Sequence, residues 1–311
     1  MRVIILYELI IIGGGPAGMT AAVYAARKRM NALLITKEFG GQPMWTMDIE
    51  NYMGYQFVTG PELMEKFDEQ VRKFPIEIKY EEVIKLAAND DGTFSVTGDG
   101  GEYRAQTVIV ASGKRPRRLA VPGEAELTGR GVSYCATCDG PLYAGKTVAV
   151  IGGGNSALQA AIEISPIAEK VYLISIAGYN ADPIVIEKLK ELKRPVVEFM
   201  GYTTTAIKGS QAVEKLVLVS NDTQEQTELE VQGIFVEIGL EPNTEYCEGV
   251  VDFNKYREIN TDCRTRTKLP GLFAAGDVTN GPDKQIVIAA GDGAKAALVA
   301  YEFLLHRRQN A

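Results

Sequence analysis

Cys135 and Cys138 flank two residues in Cys135-Ala136-Thr137-Cys138-Asp139, with a carboxylate directly after the second thiol. Thiols at this spacing can close on one another, and the spacing lowers the pKa of the attacking cysteine. The pair lies between two glycine-rich loops, Gly13-Gly14-Gly15-Pro16-Ala17-Gly18 and Gly152-Gly153-Gly154-Asn155-Ser156-Ala157. Glycines in such a loop let the backbone approach a pyrophosphate, and the helix that follows supplies oriented N–H groups. A dithiol between two such loops implies electrons passing from one nucleotide cofactor, through another, into a disulfide.

The plainer readings of the cysteines are half of a zinc site or two inert buried thiols. Structural zinc takes four ligands. The remaining cysteines, Cys247 and Cys263, form no second C-x-x-C, and His306 is the only histidine. A redox pair fits better and no metal is expected. Asp139 reads either as a helix cap or as the proton donor to a departing thiolate. The second is preferred, because a dithiol–flavin exchange needs an acid and no histidine is near. Cys247 and Cys263 read as structural singletons, and His306-Arg307-Arg308 as a solvated helix end.

The elements that must position these groups follow a βαβ grammar. Residues 8–12 read as a strand, 13–18 as the turn, 19–29 as an Ala-rich helix and 31–35 as the next parallel strand. The same order returns with a strand at 147–151, a loop at 152–157, a helix at 157–164 and a strand at 170–174. Two copies of one unit imply two dinucleotide-binding domains. Between them, 77–83, 94–96 and 107–110 read as strands separated by Asn-Asp-Asp-Gly and Gly-Asp-Gly-Gly turns. Residues 113–123 and 239–242 read as crossings between domains. A buried strand then ends at Asp277, and a small-residue helix starts near Ile286. The expected fold is α/β with two Rossmann-like dinucleotide-binding domains, the second inserted into the first: residues 1–113 with 245–311, and residues 114–244, which carry the dithiol.

Length and composition agree. A chain of 311 residues accommodates about two domains. Forty acidic against 33 basic residues give a net charge of −7, so nucleic acid is an unexpected partner. The cluster Lys114-Arg115-Pro116-Arg117-Arg118 reads as a solvated loop. The apolar run at 1–12 contains Glu8 and is too short to span a membrane, and it has no small-residue cleavage site. Four cysteines with one close pair suggest a reducing cytoplasm in which a single disulfide is transient.

With these pieces in place the chain closely resembles the low-molecular-weight flavin thioredoxin reductases of bacterial and archaeal type, nearly end to end. The matching stretches are GGGPAG at 13–18, GGQPMWTMDIENYMGY at 40–55, CATCDG at 135–140, GGGNSA at 152–157, EIGLEPNT at 237–244, GLFAAGDVTN at 271–280 and KQIVIAAGDGAKAAL at 284–298. The resemblance implies FAD in the first domain. Its pyrophosphate would meet Gly13, Gly15 and Gly18, its ribitol Asp277, and its isoalloxazine region Gln42, Asn51 and Gln285-Ile286-Val287. Pro16, Ala17, Thr36, Gly41, Val83 and Gly113 complete the expected contacts there, with Gly152, Gly154, Asn155, Ser156, Ala157, Ser175 and Gly239 in the second domain.

The resemblance also implies an alternating cycle. The nicotinamide reduces the flavin; after rotation of the small domain, the flavin reduces the Cys135–Cys138 disulfide. Cys138 is then the flavin-side thiol, Cys135 attacks the disulfide of a thioredoxin, and Asp139 is the acid. A homodimer is implied in the same way. The larger disulfide reductases, with an amino-terminal dithiol and a histidine–glutamate base, match neither arrangement.

One stretch departs from the pattern. NADPH-dependent members carry His-Arg-Arg-x-x-x-Arg after the second fingerprint, where this chain has Ser175-Ile176-Ala177-Gly178-Tyr179-Asn180-Ala181. Charge-assisted hydrogen bonds contribute roughly 1.5–3 kcal/mol each, so NADPH loses its grip on the 2′-phosphate. The Asp or Glu usual for NADH is absent too, and Ser175 offers the ribose a weaker bond. NADH is nonetheless the expected donor. Alternatives on the same fold are a ferredoxin- or other-carrier-dependent reductase and a dithiol oxidase. A non-catalytic nucleotide sensor with a C-x-x-C redox switch is the alternative from another class.

Overall fold

The computed structural model describes residues 5–45, 49–194 and 196–309. Residues 46–48, part of the quoted stretch 40–55, and 1–4 of the amino-terminal run lie outside the described residues. The chain divides into two compact units, residues 1–115 with 241–311 and residues 116–240. The architecture is α/β, with the second unit inserted into the first.

In the first unit β1 (Leu6–Ile12), α1 (Pro16–Arg27) and β2 (Ala32–Thr36) form the opening βαβ. There follow α2 (Gly60–Arg72), β3 (Glu77–Tyr80), β4 (Val83–Ala88), β5 (Phe94–Gly98) and β6 (Glu102–Val110). They build a sheet in the order β3-β2-β1-β6-β5-β4. Central strand β1 is parallel to both neighbours, with Ile12 opposite Ile35 and Val110. It is buried on both faces. Leu9 and Ile11 pack into the cluster that holds α1 and α2, and Ile10 and Ile12 into the cluster on the other face. This explains the apolar run at 9–12, which a half-buried strand would interrupt with polar residues.

The sequence reads 77–83 as one strand, but the structure divides it. β3 is parallel to β2, whereas β4 runs antiparallel to β5. Between them the Glu81 N–H donates to the Thr36 carbonyl at 3.0 Å and the Glu82 N–H to Asp99 Oδ1 at 3.1 Å. The chain changes pairing partner there, and alternation alone carries no mark of that change.

The chain leaves this unit through β7 (Lys114–Pro116). The second unit contains the short helix α3 (Glu124–Leu127), β8 (Val132–Ser133), the four-residue helix α4 (Ala136–Asp139), β9 (Thr147–Ile151), α5 (Asn155–Ile164), β10 (Lys170–Ser175), α6 (Pro183–Lys190) and β11 (Val197–Met200). A three-stranded antiparallel sheet, β12 (Tyr202–Lys208), β13 (Lys215–Ser220) and β14 (Gln226–Glu230), precedes β15 (Gly233–Val236). The main sheet runs β11-β10-β9-β15-β8, all parallel. Val148 and Val150 face the cluster holding α5; Ala149 and Ile151 face the one with Leu216 and Leu218 of β13.

After β16 (Leu240–Pro242) the chain adds β17 (Leu272–Ala274), parallel to β6, and the long helix α7 (Ile286–Gln309) to the first unit. In each unit the parallel strands end in register. Ile12, Ile35, Val110 and Ala274 mark one line of carboxyl ends; Ile151, Ile174 and Val236 mark the other. Ligands of open α/β sheets bind just beyond such ends.

Candidate active site

Beyond the first line of strand ends stands the first glycine loop. Gly13 adopts φ +116°, and a Cβ there would come within 2.3 Å of the Ala111 carbonyl oxygen. A Cβ on Gly18 would approach the Gly13 carbonyl oxygen to 1.8 Å, whereas one on Gly15 meets nothing within 4 Å. The loop is thus closed against the sheet and open where Gly15 caps α1. Pro16 occupies the first helical turn, and no side chain caps the helix, so its leading N–H groups are free to receive an anionic group.

Most of the other residues expected to make contacts in this unit lie in loops or at the ends of its elements. Thr36, at the end of β2, donates from Oγ1 to the Glu38 carbonyl at 2.6 Å, and Val83 follows two residues after Glu81, which is bonded to Thr36. Gly41 lies 3.4 Å, as a Cβ, from Gly15 Cα. Gln42 Nε2 donates to Asp277 Oδ2 at 3.1 Å, and Asn51 Nδ2 to Gln285 Oε1 at 3.0 Å. Gln285 precedes α7, which opens with Ile286 and the exposed Val287. Ala17 takes part in the closest approach of α1 and α7: a Cβ on Gly293 would meet the Ala17 carbonyl oxygen at 2.0 Å. Gly113, at φ +63°, has open space at its Cβ position. Burial holds the Asp277 carboxyl above the usual range, opposed by the charges of Lys284 and Lys114.

Sequence reading missed the cluster beside Asp277. Lys114 Nζ lies 2.8 Å and Lys284 Nζ 3.2 Å from Glu258 Oε1, all three largely buried. Burial alone pushes the Glu258 carboxyl up, but hydrogen bonds from Lys114 and Asn254 bring it below the usual range. These residues are far apart in sequence, so no spacing joins them.

In the second unit Gly152 adopts φ +145°, and a Cβ there would meet the Glu237 carbonyl oxygen at 2.1 Å. The Gly154 position is open, with only Asn180 Oδ1 at 3.9 Å. Gly154 caps α5, which starts at Asn155 and has no side-chain cap. Ala157 is buried in the unit's core. The Asn155 amide donates to Asp182 Oδ2 at 2.9 Å and accepts the Asp182 N–H at 2.7 Å. Ser175 ends β10 and is buried; its Oγ accepts the Ala177 N–H at 3.3 Å and lies 2.6 Å from where a Gly153 Cβ would be. The next residue, Ile176, is 70% exposed. Gly239 adopts φ +98°, and its carbonyl accepts the Arg117 N–H at 2.9 Å. Both loops fit the dinucleotide each would hold.

Cys135 and Cys138 are joined as a disulfide, with Cα atoms 5.3 Å apart. Cys135 caps α4, and its Sγ accepts the Cys138 N–H at 3.1 Å. The Cys135 N–H donates to Ser133 Oγ at 3.0 Å. Cys138 is exposed and Cys135 half-buried. Asp139 ends the same turn, and its side chain makes no capping hydrogen bond to the short helix after it. Burial and, to a lesser degree, the charge of Asp139 raise the pKa of Tyr143. Cys247 is buried, and burial pushes its thiol up to about 12; Cys263 is exposed.

A C-x-x-C disulfide on one α/β unit, with a glycine loop opening a helix in each of two units, is the arrangement of a disulfide oxidoreductase that uses dinucleotides. The chain belongs to the pyridine nucleotide-disulphide oxidoreductase family, whose model matches residues 7–293. It is 44% identical over 306 residues to a component of alkyl hydroperoxide reductase from Pseudomonas aeruginosa, covering 96% of this chain and 58% of that protein. It is 40% identical over 300 residues to a Bacillus subtilis protein named NADH dehydrogenase, covering 96% and 59%. The chain thus spans less than two thirds of the length of these curated relatives. Among solved structures, Lactococcus lactis thioredoxin reductase superposes with a TM-score of 0.91 at 36% identity, covering 96% of this chain and 99% of that one. The chain is therefore a thioredoxin-reductase-type flavoprotein oxidoreductase, and its family implies FAD and a pyridine nucleotide as cofactors.

Proposed function

We propose that this protein is an NADH-preferring, FAD-dependent disulfide reductase that passes electrons through Cys135–Cys138 to the disulfide of a thioredoxin or thioredoxin-like protein. The observation that carries the reading is the disulfide itself, capping α4 within the unit that also bears the second glycine loop. FAD, when bound, supplies a two-electron carrier between a nicotinamide and a disulfide.

The chain's own groups have defined tasks. Gly13, Gly15 and Gly18 shape the first cradle, Pro16 starts its helix, and Asp277 with Gln42 offers hydrogen bonds beside it. Gly152 and Gly154 shape the second cradle, where Asn155, Ser156 and Ser175 supply polar groups. Cys138, the more exposed residue of the pair, takes the incoming electron pair, and Cys135 becomes the thiol that attacks the partner disulfide. Asp139, uncommitted as a cap, donates the proton a departing thiolate needs.

NADH is preferred because residues 175–182 contain no basic side chain and end in the carboxylate of Asp182, which would oppose a 2′-phosphate. The name of the Bacillus subtilis relative supports the same donor. In an anaerobic titration NADH should bleach the flavin faster than equal NADPH; equal rates or faster bleaching by NADPH would contradict the preference. Bleaching by neither would favour a reduced-carrier donor. A second reading keeps this path but feeds hydroperoxide reduction, and the name of the Pseudomonas aeruginosa relative favours it. Turnover with a thioredoxin and with a peroxide-reducing disulfide protein, measured side by side, separates the two. We infer a homodimer as its assembly.

A further inference from the structure

The turn that carries the disulfide rests on α5 at three places. Ala136, between the cysteines, is buried in the cluster that contains Leu158, Ala161 and Ile164 of α5. Gly140 follows the turn, and a Cβ there would stand 3.5 Å from Ile164 Cγ1. The Thr137 hydroxyl, on the residue before Cys138, donates to Glu163 Oε2 at 2.8 Å. Glu163 belongs to the last turn of α5, where a carboxylate opposes the helix macrodipole. Helix formation gives no reason for an acid at that position; the bond to the dithiol turn supplies one.

We propose that Glu163 is a positioning residue for the dithiol: by accepting the Thr137 hydroxyl it holds the turn in its closed shape after the sulfur–sulfur bond has opened, and so favours re-formation of the disulfide. While the disulfide is intact, the covalent link and the bond from the Cys138 N–H to Cys135 Sγ fix the turn. Once the link is cleaved, the restraint on Thr137 remains. A restraint present in the open form reduces the conformational entropy lost on closing, which raises the effective concentration of one thiol at the other. Glu163 thereby sets how strongly the pair holds its electrons. The exchange is a two-electron step. Reduced dithiothreitol gives two electrons and two protons, the Cys135–Cys138 bond breaks to two thiols, and dithiothreitol closes its own disulfide. This role rests on the reading of Cys135–Cys138 as the redox pair of the proposed function.

The test equilibrates the holoenzyme anaerobically in dithiothreitol buffers of graded oxidised-to-reduced ratio, quenches with acid and alkylates the free thiols. Cys135 and Cys138 peptides are quantified by mass spectrometry, which keeps the exposed Cys263 out of the count. Thr137→Val and Glu163→Ala should each weaken disulfide formation about threefold to tenfold, a rise in midpoint potential of about 15–30 mV. The double variant should shift no further than either single one, because the same bond is lost in all three. Thr137→Ser keeps the donor and Glu163→Gln keeps an acceptor without the charge, so both should stay close to the wild type. If Glu163→Ala fails to fold, Thr137→Val against Thr137→Ser makes the same comparison. Unmoved potentials in Thr137→Val and Glu163→Ala, or additive shifts in the double variant, would overturn the role of Glu163 alone. So would a Glu163→Gln shift as large as that of Glu163→Ala, which would assign the effect to charge. A disulfide that stays closed in every buffer would overturn the proposed function and this role with it.

Discussion

At the residue scale the proposed chemistry concentrates in Cys135, Cys138 and Asp139, and the spacing of the two cysteines made their disulfide legible. Asp139→Asn removes the proton donor and leaves both glycine loops intact. Its turnover with a protein disulfide should fall roughly 10²-fold or more, while stopped-flow bleaching of the flavin by NADH stays at the wild-type rate; equal loss in both steps would count against the assignment. At the nucleotide end, Ile176→Arg places a guanidinium on the exposed residue after Ser175. A charge-assisted bond to the 2′-phosphate should lower KM for NADPH by about tenfold to a hundredfold and leave KM for NADH nearly unchanged. Glu163 escaped sequence reading for a physical reason: it reaches the turn from α5, and only the folded unit brings it to Thr137.

At the scale of elements, the two βαβ openings were the most legible part of the fold. β1 and β9 are rich in apolar residues because both of their faces are covered, and each runs straight into glycines. The loops then depend on close approach. Gly13→Ala would force a side chain at φ +116° into the Ala111 carbonyl at 2.3 Å, and the variant should purify with little or no yellow flavin, read as the ratio of absorbance at the flavin and protein bands. Retention of full flavin would contradict the role given to this loop. Other elements were harder to see. The helix α2 carries a complete capping box, Thr59 with Glu62 and Pro61 between them, yet its surroundings have no nucleotide motif to draw attention to it. In the β12–β14 sheet, β13 buries Leu216, Val217 and Leu218 in succession and so shows no alternation, while β12 and β14 bury only Thr204, Ile207 and Leu229.

At the scale of the whole molecule, the insertion of one α/β unit into another was foreseen from repeated grammar and a returning tail. The change of strand partner at Glu81–Glu82 was not, since it depends on tertiary pairing. Stability should carry the mark of Glu237. Its folded-state carboxyl, held at about 7 by burial, keeps its proton where the unfolded chain has lost it. Stability contributed through this group is therefore present below the ordinary glutamate range and is lost as pH rises toward 7. Glu237→Gln should raise the melting temperature at pH 8, by an amount equivalent to about 1–3 kcal/mol, and change it little at pH 4; thermal unfolding at the two pH values checks this. The most direct measurement of the central claim is a count of thiols at Cys135 and Cys138 after anaerobic addition of NADH to the oxidised holoenzyme. The account predicts that both cysteines become alkylatable as NADH is consumed, and that Cys263 labelling stays constant. Consumption of NADH with Cys135 and Cys138 still joined would contradict it.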